Sequence, residues 1–125
     1  MKLGTHIVAD LLHCPKEVLN DELLIDRTLK EAAAVAELQI IWATTHRFKP
    51  EGVSSVVLIK ESHISVHTWP EYGFAAVDIF VCGSKPTKAL KFIEKAFKPK
   101  QTMIIRIERG IEVGRKTTSW KMAPR

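Results

Sequence analysis

Ser62, His67 and Cys82 place a hydroxyl, an imidazole and a thiol within one short stretch, 62–82, of this 125-residue chain. Serine is a weak nucleophile that acts when its hydroxyl is held and a base takes its proton. His67 has the residue type of a base or ligand. From the residues alone a half-buried strand histidine that only makes hydrogen bonds is the commoner reading. His63 is its rival in the sequence and has the same parity. Positions 62 and 67 differ by an odd number, so a straight strand sends them to opposite faces unless a bulge or bend intervenes. Cys82, at a strand end, reads first as a small buried hydrophobe. If residues 69–73 connect a hairpin, Thr68 pairs with Phe74, Ser62 opposes Phe80 and Cys82 opposes Lys60. Cys82 is then a same-face diagonal neighbour of Ser62, with Cα atoms ~7–8 Å apart. A slip of one residue reverses that facing.

The elements that must position these groups follow from periodicity and punctuation. Residues 5–11 alternate as a strand. Asn20 is the expected N-cap of a helix, with Asp21 and Glu22 complementing its dipole. Ile25, Leu29, Ala32, Ala33 and Ala36 recur at helical spacing and should face a sheet. Residues 38–45 read as a strand and Pro50-Glu51-Gly52 as a turn. Stretches 53–60 and 63–69 read as one long strand interrupted at the Glu61–Ser62 bond. The 69–73 connection carries Pro70, which cannot donate to a central ladder. Residues 74–82 form the return strand. Ser84 or Thr87 can start a second helix whose Ala89, Phe92, Ile93, Ala96 and Phe97 share a face, and Pro99 ends it. Residues 101–108 are the last strand. The order β-α-β-β-β-α-β predicts an α+β two-layer sandwich, a largely antiparallel sheet with two helices on one face. The strands hold too many apolar residues for the other sheet face to be very polar, so two such faces should pack in a homodimer.

Bulk properties narrow the function classes. The length fits a single domain, 1–125, and 46% hydrophobic with 26% charged residues is an ordinary composition. No apolar stretch approaches a membrane span and no signal-peptide h-region follows Met1, so the expected location is cytoplasmic. The net charge of +5 is concentrated at the C-terminus, where Arg115, Lys116, Lys121 and Arg125 stand without an acid. That tail reads as a solvated terminus. No RNA-binding signature accompanies it, and no nucleic-acid partner is expected. Two cysteines, Cys14 and Cys82, are too few for a disulfide framework, and the five histidines form no zinc spacing with them.

The run from Lys60 through Glu61-Ser62-His63 to Trp69-Pro70-Glu71-Tyr72-Gly73 resembles the self-cleavage site of the short prokaryotic S-adenosylmethionine decarboxylases. The likeness continues through Phe74-Ala75-Ala76-Val77-Asp78-Ile79-Phe80-Val81-Cys82-Gly83. Upstream it includes His46-Arg47-Phe48 and Gly52-Val53-Ser54, with a looser match from Gly4-Thr5-His6. The last dozen residues match nothing nameable.

The resemblance implies a chain cut between Glu61 and Ser62, giving a 1–61 β chain and a 62–125 α chain headed by a pyruvoyl group made from Ser62. It assigns His67 as the base for this processing, Ser54 as support for the scissile bond, and Cys82 as proton donor during turnover. Phe48 would stack on the adenine and Glu71 would hold the ribose, with Trp69 shaping the pocket. The keto group would condense with the amine of S-adenosylmethionine and accept the electrons released with CO₂, without a metal. The product would supply aminopropyl groups for spermidine synthesis. A homodimer with active sites near the subunit interface is implied as well. Decarboxylation of arginine or ornithine on the same fold is an alternative, and a non-catalytic regulatory subunit is one of another class.

Overall fold

The computed structural model describes residues 2–83 and 85–111. Its elements in chain order are β1 (Gly4–Leu12), α1 (Lys16–Leu19), α2 (Glu22–Val35), β2 (Ile40–Arg47), β3 (Val53–Ile59), β4 (Ser62–Trp69), β5 (Phe74–Val81), α3 (Pro86–Phe97) and β6 (Gln101–Arg109). A single 3₁₀ turn, Pro70–Tyr72, joins β4 to β5. The strands form one six-stranded sheet in the order β2-β3-β4-β5-β1-β6. Each neighbouring pair is antiparallel. The architecture is the expected α+β sandwich.

Alternation along the strands divides the sheet into two faces. Ile7, Ala9 and Leu11 of β1, Val53, Val57 and Ile59 of β3, Ile64 and Val66 of β4, and Ala75, Val77, Ile79 and Val81 of β5 are buried. Against them α2 buries Ile25, Leu29, Ala32 and Ala33, with Ala36 at its C-cap, the five residues its periodicity selects. From α3 come Ala89, Leu90, Ile93 and Phe97, while Phe92 and Ala96 are partly buried at the margin. No helix among the described residues covers the opposite sheet face. That face presents Leu58, Trp69, Met103 and Ile105 at 40–63% exposure among serines, histidines and aspartates.

Several local expectations are corrected. Residues 53–60 and 63–69 are not one interrupted strand but two antiparallel strands, with Ile59 paired to Ser62 across a Lys60–Glu61 hairpin tip. No glycine or asparagine marks that turn; Glu61 itself takes φ 60. The β4–β5 register is shifted by one: Trp69, not Thr68, pairs with Phe74, and His63, not Ser62, pairs with Phe80. Trp69 stays in the ladder because the 3₁₀ turn and Gly73, at φ 62, complete the reversal. A Cβ on Gly73 would also stand 3.1 Å from the Cys14 carbonyl oxygen. The α2 N-cap is Asp21, whose side chain accepts from the Leu24 N–H at 3.0 Å, while Asn20 closes the short helix α1 that periodicity did not reveal. Helix α3 begins at Pro86, which supplies the φ of a first helical residue. Ser84 and the basic C-terminal stretch lie outside the described residues.

Candidate active site

The candidate residues gather in two places. The first is the tip of the β3–β4 hairpin. Ser62 opens β4 on the helix-covered face and is only 5% exposed. Its Oγ accepts a hydrogen bond from the Cys82 backbone N–H at 3.2 Å, and the Cys82 thiol donates to the Glu61 carbonyl oxygen at 3.0 Å. Cys82 therefore bridges both sides of the 61–62 peptide bond. This comes from the shifted register: continuing the His63–Phe80 pairing sets Ser62 level with Val81 and Cys82 level with Glu61. Cys82 is thus not the same-face diagonal neighbour of Ser62, nor does it oppose Lys60. Glu61, on the other side of the bond, has a left-handed backbone that costs a non-glycine residue about 1–3 kcal/mol. Beside Cys82 opens a cavity of about 450 Å³, bounded by the end of α2 at Ala36–Leu38 and by Lys85 and Lys88.

The second place is a pocket of about 390 Å³ at the far end of β3 and β4, lined by Phe48, Glu51, Ser54, His67, Trp69 and Glu71 among others. All five of Phe48, Ser54, His67, Trp69 and Glu71 singled out in the sequence meet here. Ser54 and His67 are cross-strand partners, and Ser54 Oγ shares a 2.6 Å hydrogen bond with His67 Nδ1. Trp69 packs on Phe74 with ring centroids 5.3 Å apart. Glu71 enters from the 3₁₀ turn. The turn before β3 is closed by the Phe48 N–H donating to the Gly52 carbonyl oxygen at 2.8 Å. Gly52 has φ 110, and a side chain on it would stand 3.2 Å from the Thr68 carbonyl oxygen.

The two places are not joined within one chain. Five residues of strand separate Ser62 from His67, about 16 Å at the usual rise. The parity argument holds as well. β4 runs without a bulge, Ser62 lies on the covered face and His67 on the open one. A base at His67 cannot reach the Ser62 of its own chain in this conformation.

Sequence reasoning passed over three groups near these places. His46 packs edge-to-face on Phe48 with ring centroids 4.6 Å apart. Glu51 lines the pocket with a buried Oε1 that has no hydrogen-bond partner among the described residues and lies 3.6 Å from Lys16 Nζ. On the open face His6 Nε2 meets Asp78 Oδ1 at 3.0 Å, and the His6 ring packs edge-to-face on His63. Burial first, then the nearby His6 and Arg109 charges, hold the His63 pKa below the usual histidine range, against the opposing pull of Asp78. Rows of cross-strand partners, once the register is known, would have revealed His46 beside Ser54 and His6 beside Phe80. Among the described residues no group of three histidine, cysteine or acidic side chains could hold a metal. No helix among them is long and apolar enough to cross a membrane.

An antiparallel α+β sandwich with a buried serine held beside its own preceding carbonyl now has a family. The S-adenosylmethionine decarboxylase family model matches residues 5–110, and the chain belongs to that family. It is 48% identical over 110 residues to the S-adenosylmethionine decarboxylase proenzyme of Thermotoga petrophila, covering 86% of this chain and 85% of that one. The proenzyme of Thermodesulfovibrio yellowstonii is 47% identical over 111 residues, with 87% and 82% covered. The crystal structure of the adenosylmethionine decarboxylase from Aquifex aeolicus superposes with a TM-score of 0.85 at 35% identity, over 94% of this chain and 98% of that chain.

Proposed function

We propose that this chain is a cytoplasmic proenzyme that splits itself between Glu61 and Ser62 and then decarboxylates S-adenosylmethionine, yielding an aminopropyl donor for spermidine synthesis. The observation that carries this reading is the pair of Cys82 hydrogen bonds about the 61–62 bond, one to the Ser62 hydroxyl and one to the Glu61 carbonyl. The first holds the nucleophile and the second polarises its target.

In the splitting reaction Ser62 Oγ attacks the Glu61 carbonyl carbon. A C–O bond forms as the C–N bond breaks and the hydroxyl proton passes to the departing nitrogen, so the peptide becomes an ester and the Ser62 nitrogen a free amine. His67 then takes the Ser62 Cα proton. The ester C–O bond breaks, leaving Glu61 as a carboxylate and residue 62 as dehydroalanine. Water displaces ammonia from the imine tautomer of dehydroalanine, which leaves a pyruvoyl group at the head of 62–125.

The residues around Ser62 fit such a group: its precursor is buried, a backbone N–H meets its hydroxyl, and a thiol stands at the carbonyl just before it. Once formed, it supplies a carbonyl that accepts the electrons released with CO₂. The Cys82 thiol returns a proton to the carbon that lost CO₂. Phe48 stacks on the adenine, Glu71 accepts hydrogen bonds from the ribose hydroxyls, Trp69 shapes the wall, and Ser54 orients His67.

The separation of the two places within one chain supports a homodimer in which each site draws on both copies. The open sheet face, with its exposed Leu58, Met103 and Ile105, supports the same assembly. A two-fold axis crossing the strands near Ser65 would lay the hairpin end of one sheet over the Phe48 pocket of the other. His67 of a second copy would then lie over the hairpin tip from the open side, where it could reach the Ser62 Cα proton and not the buried hydroxyl.

Intact mass of the purified protein tests the cofactor. Fragments of 61 and 64 residues, the second lighter by one ammonia than a serine-headed chain, are expected from the 125-residue precursor. A single uncut species refutes the mechanism and returns the chain to a regulatory role. Release of CO₂ from S-adenosylmethionine, set against arginine and ornithine, tests the substrate.

A further inference from the structure

We propose that His46 is a positioning residue that holds the Phe48 ring as a platform for the flat heterocycle of the substrate. The proposal rests on the reading of Phe48 given above. Phe48 follows directly after the edge strand β2 and keeps 46% of its surface exposed. Its backbone is fixed by the hydrogen bond to Gly52, but that bond leaves both side-chain torsions to be set by packing.

The His46 ring supplies that packing. Its plane makes an angle of 74° with that of Phe48 at a centroid separation of 4.6 Å, the edge-to-face arrangement that aromatic quadrupoles favour. Residues 46 and 48 share parity, so the chain offers both rings on the open side of the sheet. His46 pairs with Ser54, and Ser54 pairs with His67. One row across three strands therefore runs from the ring support to the Ser54–His67 hydrogen bond. A platform ordered before the ligand arrives does not lose that freedom on binding, so the support should act on affinity rather than on the chemical step.

The test uses the split enzyme and four chains: wild type, His46→Ala, His46→Phe and Phe48→Ala. Equilibrium binding of 5′-methylthioadenosine, a nucleoside that cannot be decarboxylated, is measured beside KM and kcat for S-adenosylmethionine. His46→Ala is expected to weaken nucleoside binding and raise KM by about two- to tenfold, the usual range for one aromatic pair, with kcat unchanged. His46→Phe, which keeps the edge-to-face pair without the imidazole, is expected to restore both. Completion of splitting shows that each variant folds. If Phe48→Ala weakens binding and His46→Ala does not, the platform needs no support and the inference is overturned. If His46→Phe behaves like His46→Ala, the imidazole acts by its own chemistry, and positioning by packing is again overturned. If Phe48→Ala binds the nucleoside normally, it is the assignment of Phe48 that fails, and the platform fails with it.

Discussion

Replacing Cys82 by alanine separates two tasks that the proposed mechanism gives to one residue. The substitution removes the thiol but leaves the backbone N–H that reaches Ser62 Oγ at 3.2 Å. Self-splitting therefore keeps its nucleophile in place and loses only the thiol's 3.0 Å hydrogen bond onto the Glu61 carbonyl. A thiol is a weak donor, and a neutral hydrogen bond contributes about 0.5–1.5 kcal/mol net, so splitting should slow by about two- to twelvefold. In the proposed mechanism turnover depends on the same thiol as a proton donor, and loss of a positioned acid costs about 10²–10⁴ in rate. The assay is a time course of precursor and fragments by mass, followed by CO₂ release from fully split protein. Serine at the same position restores a donor and should bring splitting back towards the wild-type rate. The reasoning is refuted if Cys82→Ala stops splitting altogether, because the thiol would then do more than polarise a carbonyl. It is equally refuted if split Cys82→Ala turns over at the wild-type rate.

Three further predictions concern the remaining polar groups. His67→Ala and Ser62→Ala should each remain uncut. Mixed and refolded together they should regain about a quarter of wild-type splitting, since random pairing makes half the dimers mixed and each mixed dimer has one complete site; no recovery would mean that each site is built from one chain. Cys14 is 6% exposed, and burial raises its thiol pKa to about 11 from 9.0, so near pH 8 iodoacetamide should label Cys82 alone in the folded protein. Because the folded thiol holds its proton while the unfolded one ionises, its contribution to stability is intact below pH 9 and falls as pH rises towards about 11, which thermal melts across that range would detect.

The buried faces of the two long helices are the legible part of the fold. The apolar repeat of α2 selects the residues that are buried, because a 3.6-residue period has one consistent reading over four turns. Strand pairing was less legible. Lys60 and Glu61 look like continuing strand, since a non-glycine residue at φ 60 leaves no mark in the sequence, and the hairpin was read as one long strand. The register error came from assigning Trp69 to the loop, and it carried Cys82 to the wrong partner. Parity was robust to both mistakes, because the alternation within β4 does not depend on what β4 pairs with. The gathering of Phe48, Ser54, His67, Trp69 and Glu71 needed the family likeness, since their spacing does not announce a pocket. His46 escaped notice because a histidine two residues from an aromatic is informative only when both are known to share a face.

The bond between Glu61 and Ser62 joins two segments that are threaded through one another. Strands β1, β2 and β3 belong to 1–61, and β4, β5 and β6 to 62–125. In the sheet β1 is clasped between β5 and β6, and β3 lies against β4, so the two pieces meet along three separate seams. Breaking the chain at the hairpin tip leaves every one of those ladders closed. Cut there, the two pieces would remain interlocked like the fingers of two hands. If the proposed split occurs, the continuous backbone would serve as a folding device: it would fix the order of the strands once, and the ladders across the three seams would hold the sheet afterwards.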